Sequence, residues 1–168
     1  MIQIHNLSVD EINIIDKNIR SIWKNASNLN RVHEFSKTVP KYVCCGNYDW
    51  IWNKKGIYIP NIELPLTQEL IDICLKYNLT PDILIINFYD KIRNKLNWHK
   101  DIDEKTNDKI ISISLYGTCE FHYKFNNKKE TLLLNHGDLL IFGEEHRYIE
   151  HCVVNKSDKR GNLTFRKY

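Results

Sequence analysis

From Asp82 onward the sequence is a succession of short apolar segments, most of them too short for an ordinary helix and most closed by turn residues. Asp82–Tyr89, Ile110–Leu115, Cys119–Phe125, Glu130–Leu134, Leu139–Phe142, Arg147–Val154 and Asn162–Arg166 read as strands. Gly117, Asn126-Asn127 and Asn135-His136-Gly137-Asp138 supply turns between them. Ahead of this series, Ser8–Lys24 reads as a helix: Ile12, Ile15, Ile19 and Ile22 recur at helical spacing, and Ser8 or Asp10 can cap it. Asn25–Thr38 reads as a loop, Lys41–Ile59 as short strands broken at Gly46-Asn47 and Lys55-Gly56, and Pro60–Pro65 as a linker. Thr67–Tyr77 is a second amphipathic helix, with Leu70, Ile71, Cys74 and Leu75 on its buried side. The predicted class is α+β, mainly β: a double-sheet jelly roll with two N-terminal helices supporting one flank.

The 168 residues suit a single domain, and 42% hydrophobic with 27% charged residues excludes disorder and low complexity. A net charge of +3 is too small to identify a nucleic-acid partner. Solvated lysine accounts for Lys54-Lys55 and Lys128-Lys129. The cysteines, Cys44, Cys45, Cys74, Cys119 and Cys152, are odd in number and contain no CxxC pair, so they read as reduced thiols. No secretory signal and no membrane-length apolar run is visible, which gives the expectation of an intracellular protein, cytoplasmic or nuclear.

The chemistry is concentrated at Asn97-Trp98-His99-Lys100-Asp101-Ile102-Asp103. In an extended segment His99 and Asp101 point the same way, because side chains alternate along a strand. One further histidine would complete a 2-His-1-carboxylate face, which holds a non-haem Fe(II) and leaves coordination positions open. Of the remaining histidines, His5 and His33 fall in the N-terminal helical part, away from the sheet, and His136 and His146 fall at turns. His122 and His151 lie within predicted strands. His151 alternates in phase with Ile149 and Val153 and so faces the core, which makes it the expected third ligand.

A second polar cluster closes the chain. Arg160, Asn162, Thr164 and Arg166 share one face of a strand whose other face carries Leu163 and Phe165. Guanidinium groups bind carboxylates through paired hydrogen bonds and keep their charge. Beside an iron site, this face reads as a seat for a dicarboxylate cosubstrate.

In their order, His99-x-Asp101, His136-Gly137-Asp138, His151 and Arg160-x-Asn162-x-Thr164-x-Arg166 resemble the AlkB family of Fe(II)/2-oxoglutarate-dependent dioxygenases, over about Cys45 to Arg166. The resemblance implies a double-stranded β-helix with Fe(II), 2-oxoglutarate and O2 as cofactors. It implies that His99, Asp101 and His151 ligate iron, that Arg160 pairs with the distal carboxylate of 2-oxoglutarate, and that Arg166 lies near the other carboxylate and Asp101. Asn87 and Tyr89 match positions that hydrogen-bond the cosubstrate, and Asn162 and Thr164 would line the same cavity.

The resemblance further divides residues 1–168 into an N-terminal helical part (about 1–40), a nucleotide-recognition lid (41–65) and the helix and jelly-roll core (66–168). In the lid Trp50 would stack on a target base, and Tyr58 stands beside Ile57, where the family has a tyrosine. Asp103 matches an acidic residue that faces the base. An aromatic face with a carboxylate suits the cationic bases 1-methyladenine and 3-methylcytosine. The implied activity is oxidative demethylation of such bases in DNA or RNA, with single strands the expected preference and a monomer the expected state. Formaldehyde, succinate and CO2 would be released.

Two other readings stay open. A same-fold oxygenase acting on a protein side chain or small metabolite would make Trp50 and Asp103 unimportant. A non-catalytic nucleic-acid-binding module would bind oligonucleotide without turnover.

Overall fold

The structure, a computed structural model, describes residues 2–34, 36–46, 50–52, 57–59, 63–101, 109–143 and 148–167, with 50–52 and 57–59 described by their backbone pairing. A short strand, β1 (Gln3–Asn6), precedes the helix α1 (Val9–Asn28). Ser8 caps α1 in a reciprocal box: its hydroxyl accepts from Glu11 N at 3.2 Å, and its own N–H donates to Glu11 Oε2 at 2.8 Å. The helix runs past its expected end at Lys24, so the start of the expected loop is helical. Ala26 is fully buried and anchors that extra turn. The strands β2 (Lys41–Gly46), β3 (Trp50–Trp52) and β4 (Ile57–Ile59) follow, then the helix α2 (Gln68–Leu75). In α2 the buried residues are Leu70, Ile73 and Cys74, whereas Leu75 is exposed. Leu75 ends the helix and falls off the buried stripe, and Ile73 takes its place.

The remaining strands are β5 (Ile83–Asp90), β6 (Lys95–His99), β7 (Ile110–Leu115), β8 (Cys119–Phe125), β9 (Lys128–Leu134), β10 (Asp138–Phe142), β11 (His151–Asn155) and β12 (Lys159–Arg166). They form two antiparallel sheets of a jelly roll. The major sheet has the order β1-β10-β7-β12-β5-β2 and the minor sheet β6-β11-β8-β9, while β3 and β4 pair separately. Among the described residues β11 begins at His151, later than the expected start at Arg147. His5 lies in β1 at the edge of the major sheet, and His33 bridges to Tyr42 of β2, so neither is remote from the sheet. Both acquire their extended state from a long-range partner, which the local sequence does not contain.

Side chains alternate across the major sheet and divide the core in two. Leu84, Ile86, Ile111, Ile113, Leu163 and Phe165 pack outward against Ile15, Ile19 and Ile22 of α1 and Leu70 and Ile73 of α2. Tyr89, Ile110, Leu140 and Phe142 point inward and meet Phe121 and Val153 of the minor sheet. Apolar burial contributes roughly 25 cal/mol per Å², and here it clamps the helices to one face, leaving the other free to frame a polar interior. The turn at His136-Gly137-Asp138 is held by Asp138, whose Oδ2 accepts from Asn135 N at 2.7 Å and whose Oδ1 accepts from Asn6 Nδ2 at 2.7 Å. Gly137 has a φ of 88° and sits where an added Cβ would strike Ile12, so this position requires glycine. Free thiols occupy all five cysteine positions, as expected.

Candidate active site

His99 ends β6 and is the direct cross-strand partner of His151 at the start of β11. Their rings therefore meet across the minor sheet, with centroids 4.2 Å apart. Asp101, two residues past His99, turns its carboxylate between them: His99 Nε2 is 3.8 Å from Oδ1 and His151 Nε2 is 3.6 Å from Oδ2. The ligand atoms of these three residues all lie within 4.8 Å of one another, a grouping that could hold one metal ion.

Backbone carbonyls orient both imidazoles. His99 Nδ1 lies 2.7 Å from Asn97 O, and His151 Nδ1 lies 3.1 Å from Ile149 O. A carbonyl can only accept, so each Nδ1 donates, and the neutral form of each ring then has its Nε2 lone pair on the side of Asp101. Phe121 stacks on the His151 ring at 5.2 Å, and Phe142 meets it edge-on. This burial lowers the His151 pKa despite the opposing pull of Asp101, which favours the neutral, metal-binding form. For Asp101 burial pushes the pKa up, but the Arg166 guanidinium, His151 and His99 outweigh it and hold the carboxyl at about 2. Arg166 Nη2 donates to Asp101 Oδ1 at 2.9 Å.

Beyond this cluster, the inward face of β12 carries Arg160, Asn162, Thr164 and Arg166, all buried. Arg160 is 1% exposed, yet no carboxylate pairs with it among the described residues. Its Nη2 donates to Ser114 Oγ at 2.8 Å and to Asn162 Oδ1 at 2.9 Å, while Nε and Nη1 have no hydrogen-bond partner among the described residues. A buried guanidinium with unsatisfied donors is costly unless an anion joins it. The structure thus contains a cation that fits a carboxylate ligand. Asn162 Nδ2 donates to Thr164 Oγ1 at 3.0 Å and its Oδ1 accepts from Ser112 Oγ at 3.1 Å, so the row is tied together.

On β5, Asn87 stands opposite Asn162 and Tyr89 opposite Arg160. The Tyr89 ring lies 5.1 Å below the Arg160 guanidinium. Burial pushes the Tyr89 pKa up to about 12, against the pull of Arg160, so the phenol stays protonated. Ser112 and Ser114 belong to the same polar row and are absent from the expected site. Their signal was available: they are the polar residues of β7 at alternate positions, in phase with neither Ile111 nor Ile113. His122 does not join the cluster. Its Nδ1 lies 2.8 Å from Thr131 Oγ1 on the neighbouring strand. His136 is exposed, and its Nδ1 accepts from Tyr116 N at 3.0 Å. Trp50 and Tyr58 lie in β3 and β4, paired through Trp50 with Ile59 and Ile51 with Tyr58. The side chains of Trp50 and Tyr58, and all of Asp103 and His146, lie outside the described residues.

Residues 17–166 match the 2OG-Fe(II) oxygenase superfamily. The alpha-ketoglutarate-dependent dioxygenase AlkB of Escherichia coli (strain K12) is 30% identical over 149 residues, which cover 73% of this chain and 68% of AlkB. The chain belongs to the AlkB family of 2OG-Fe(II) oxygenases. The DNA N(6)-methyladenine demethylase ALKBH1C of Arabidopsis thaliana is 34% identical over 113 residues, covering 54% of this chain and 25% of that protein. The chain therefore spans about a quarter of the length of this relative. A solved structure titled "The structure of OsALKBH1" superposes with a TM-score of 0.66 at 21% identity, covering 99% of this chain and 97% of that one. This match bears out the jelly roll. The cofactors of the family, Fe(II), 2-oxoglutarate and O2, agree with the donor set, which offers two imidazoles and a carboxylate beside an anion-ready arginine.

Proposed function

We propose that this chain is an Fe(II)/2-oxoglutarate-dependent oxidative demethylase of N-methylated bases, of the 1-methyladenine and 3-methylcytosine type, in DNA or RNA. The observation that carries the oxygenase reading is the pairing of one metal-sized His-Asp-His cluster with a buried arginine whose Nε and Nη1 lack hydrogen-bond partners among the described residues. The similarity to AlkB and to a protein named as a DNA demethylase supports nucleic acid as the substrate. Single strands are the proposed preference, a monomer the proposed state and an intracellular compartment the proposed location. Among the described residues no helix is long and apolar enough to cross a membrane. Residues 1–168 form one AlkB-like domain in this reading, with 41–65 as the lid; β2, its first strand, is also the edge of the major sheet.

In this reading His99, Asp101 and His151 hold the iron through Nε2, a carboxylate oxygen and Nε2. Arg160 takes the distal carboxylate of 2-oxoglutarate, and Asn87, Tyr89, Asn162 and Thr164 line its seat. Arg166 keeps the Asp101 carboxylate charged and aimed. Bound iron with 2-oxoglutarate and O2 supplies the oxidant that hydroxylates an N-methyl group, which then leaves as formaldehyde alongside succinate and CO2. The protein's own part is geometric and electrostatic: it fixes the imidazole tautomers, excludes water with Phe121 and Phe142, and neutralises the cosubstrate's charge. Trp50, Tyr58 and Asp103 are the proposed contacts to the base.

The test is a mass-spectrometric screen of methylated DNA and RNA oligonucleotides with iron, ascorbate and 2-oxoglutarate, looking for loss of one methyl group. His99→Ala is expected to abolish substrate-stimulated succinate release. Succinate release stimulated by peptides or metabolites but by no oligonucleotide would refute the nucleic-acid substrate.

A further inference from the structure

The β8–β9 hairpin turns through Asn126-Asn127, with φ values of 50° and 61°, a tight turn that suits the twist of its strands. Its last rungs set Lys124 directly opposite Lys129, and Phe125 opposite Lys128. Facing like charges destabilise a sheet. The repulsion is partly offset by Trp98 of β6, from whose ring centroid the two ammonium groups lie 4.7 and 5.7 Å, and by Glu150, whose Oε2 accepts from Lys124 Nζ at 2.8 Å. Lys100, Lys128 and Lys129 have no ion-pair partner among the described residues.

All four lysines line one groove of about 620 Å3, together with Glu150 and the exposed aromatics Phe125 and Tyr148. Among its described lining residues four lysines face one glutamate, a local surplus of positive charge. The groove also adjoins the proposed catalytic centre: Lys100 separates His99 from Asp101, and Ile149, in the lining, carries the carbonyl that orients His151.

We propose that this groove holds the sugar-phosphate backbone of the polynucleotide that flanks the target base, with Lys128 and Lys129 on phosphates and Phe125 and Tyr148 against neighbouring bases. The proposal rests on the nucleic-acid reading above and adds where the strand runs. Lysines beside exposed rings are the combination that grips single strands without regard to sequence: ammonium groups displace counterions from phosphates, and aromatic faces stack on any base. The repelling Lys124–Lys129 pair then has a purpose, since an anion laid between the two relieves it.

The experiment measures binding of a labelled single-stranded oligodeoxynucleotide to Mn(II)- and 2-oxoglutarate-loaded protein across a salt series. Lys128→Gln with Lys129→Gln is expected to weaken binding roughly 10- to 30-fold at about 0.1 M salt, equally for methylated and unmethylated strands, and to flatten the log–log salt slope by about 1.4. The melting temperature of this variant is expected to stay level or rise, which separates lost contacts from lost folding. Lys17→Gln with Lys24→Gln, exposed on α1, is expected to leave binding unchanged. Equal weakening by both variants, or none by the first while the parent binds, would overturn the groove and leave the demethylase reading intact. A parent that binds phosphatidylserine vesicles but no oligonucleotide would overturn both.

Discussion

Arg166 donates to the same Asp101 oxygen that faces His99, so one guanidinium both neutralises the carboxylate and sets its rotation. Removing it in Arg166→Met is expected to lower divalent-metal affinity about 10- to 100-fold, the usual effect of losing a group that orients a ligand. Arg166→Lys restores the charge but not the planar fork, and recovery is expected to be partial. Calorimetric titration with Mn(II) measures both.

The three metal-ligand candidates can be tested without turnover. Mn(II) at about 100 times its dissociation constant is expected to stabilise the fold by about 2.7 kcal/mol, and a chelator is expected to reverse this. In His99→Ala the shift is expected to vanish. A thermal melt that responds identically in parent and variant would take His99 out of the proposed iron site.

Ser114 lies on β7, opposite Asn162 of β12, yet it determines how Arg160 is held, through the 2.8 Å bond to Nη2. Hydrogen bonds to charged groups contribute about 1.5–3 kcal/mol. Ser114→Ala is accordingly expected to raise the KM for 2-oxoglutarate about tenfold or more, with kcat changed far less, because the interaction aligns the cosubstrate before reaction. Steady-state kinetics at varied 2-oxoglutarate would separate the two.

Asp16 of α1 joins helix to sheet: its Oδ2 accepts from Arg20 Nε at 2.8 Å and its Oδ1 from Tyr116 Oη at 2.5 Å. Arg20 holds this carboxyl below the ordinary range against the opposing effect of burial, with Tyr116 assisting. The folded protein therefore releases this proton at lower pH than the unfolded chain does. The stabilisation is complete above the unfolded pKa of about 3.9 and is lost as pH falls through the lower folded value. Asp16→Asn is expected to melt a few degrees below the parent at neutral pH, with the gap closing as pH falls below the ordinary carboxylate range. A gap that widens on acidification would contradict this assignment.

Much of the site was legible because its chemistry survives in local spacing. His99-x-Asp101 fixes two neighbours by alternation alone, and beside that pair Arg160-x-Asn162-x-Thr164-x-Arg166 reads as an inward polar face, although an edge strand with one side in water alternates in the same way. His151 could be chosen by phase. Ser112 and Ser114, each between aliphatic residues, are chemically quiet until Asn162 and Arg160 of β12 reach them. Gln3–Asn6 is short and exposed along its length, and it becomes a strand only by pairing with β10. Lys128-Lys129 looks like ordinary solvated surface in one dimension; only the hairpin brings Lys129 against Lys124 and the face of Trp98.

The place of β12 between β7 and β5 has a consequence for synthesis. Every other strand leaves the ribosome first, so the major sheet waits as two fragments, β1-β10-β7 and β5-β2, each with a raw edge where hydrogen-bond donors and acceptors stand unpaired. The strand that heals this gap is the one that brings Arg160 and Arg166. A nascent polypeptide halted before residue 159 could neither close its barrel nor seat a dicarboxylate, and it would be a ready target for chaperones.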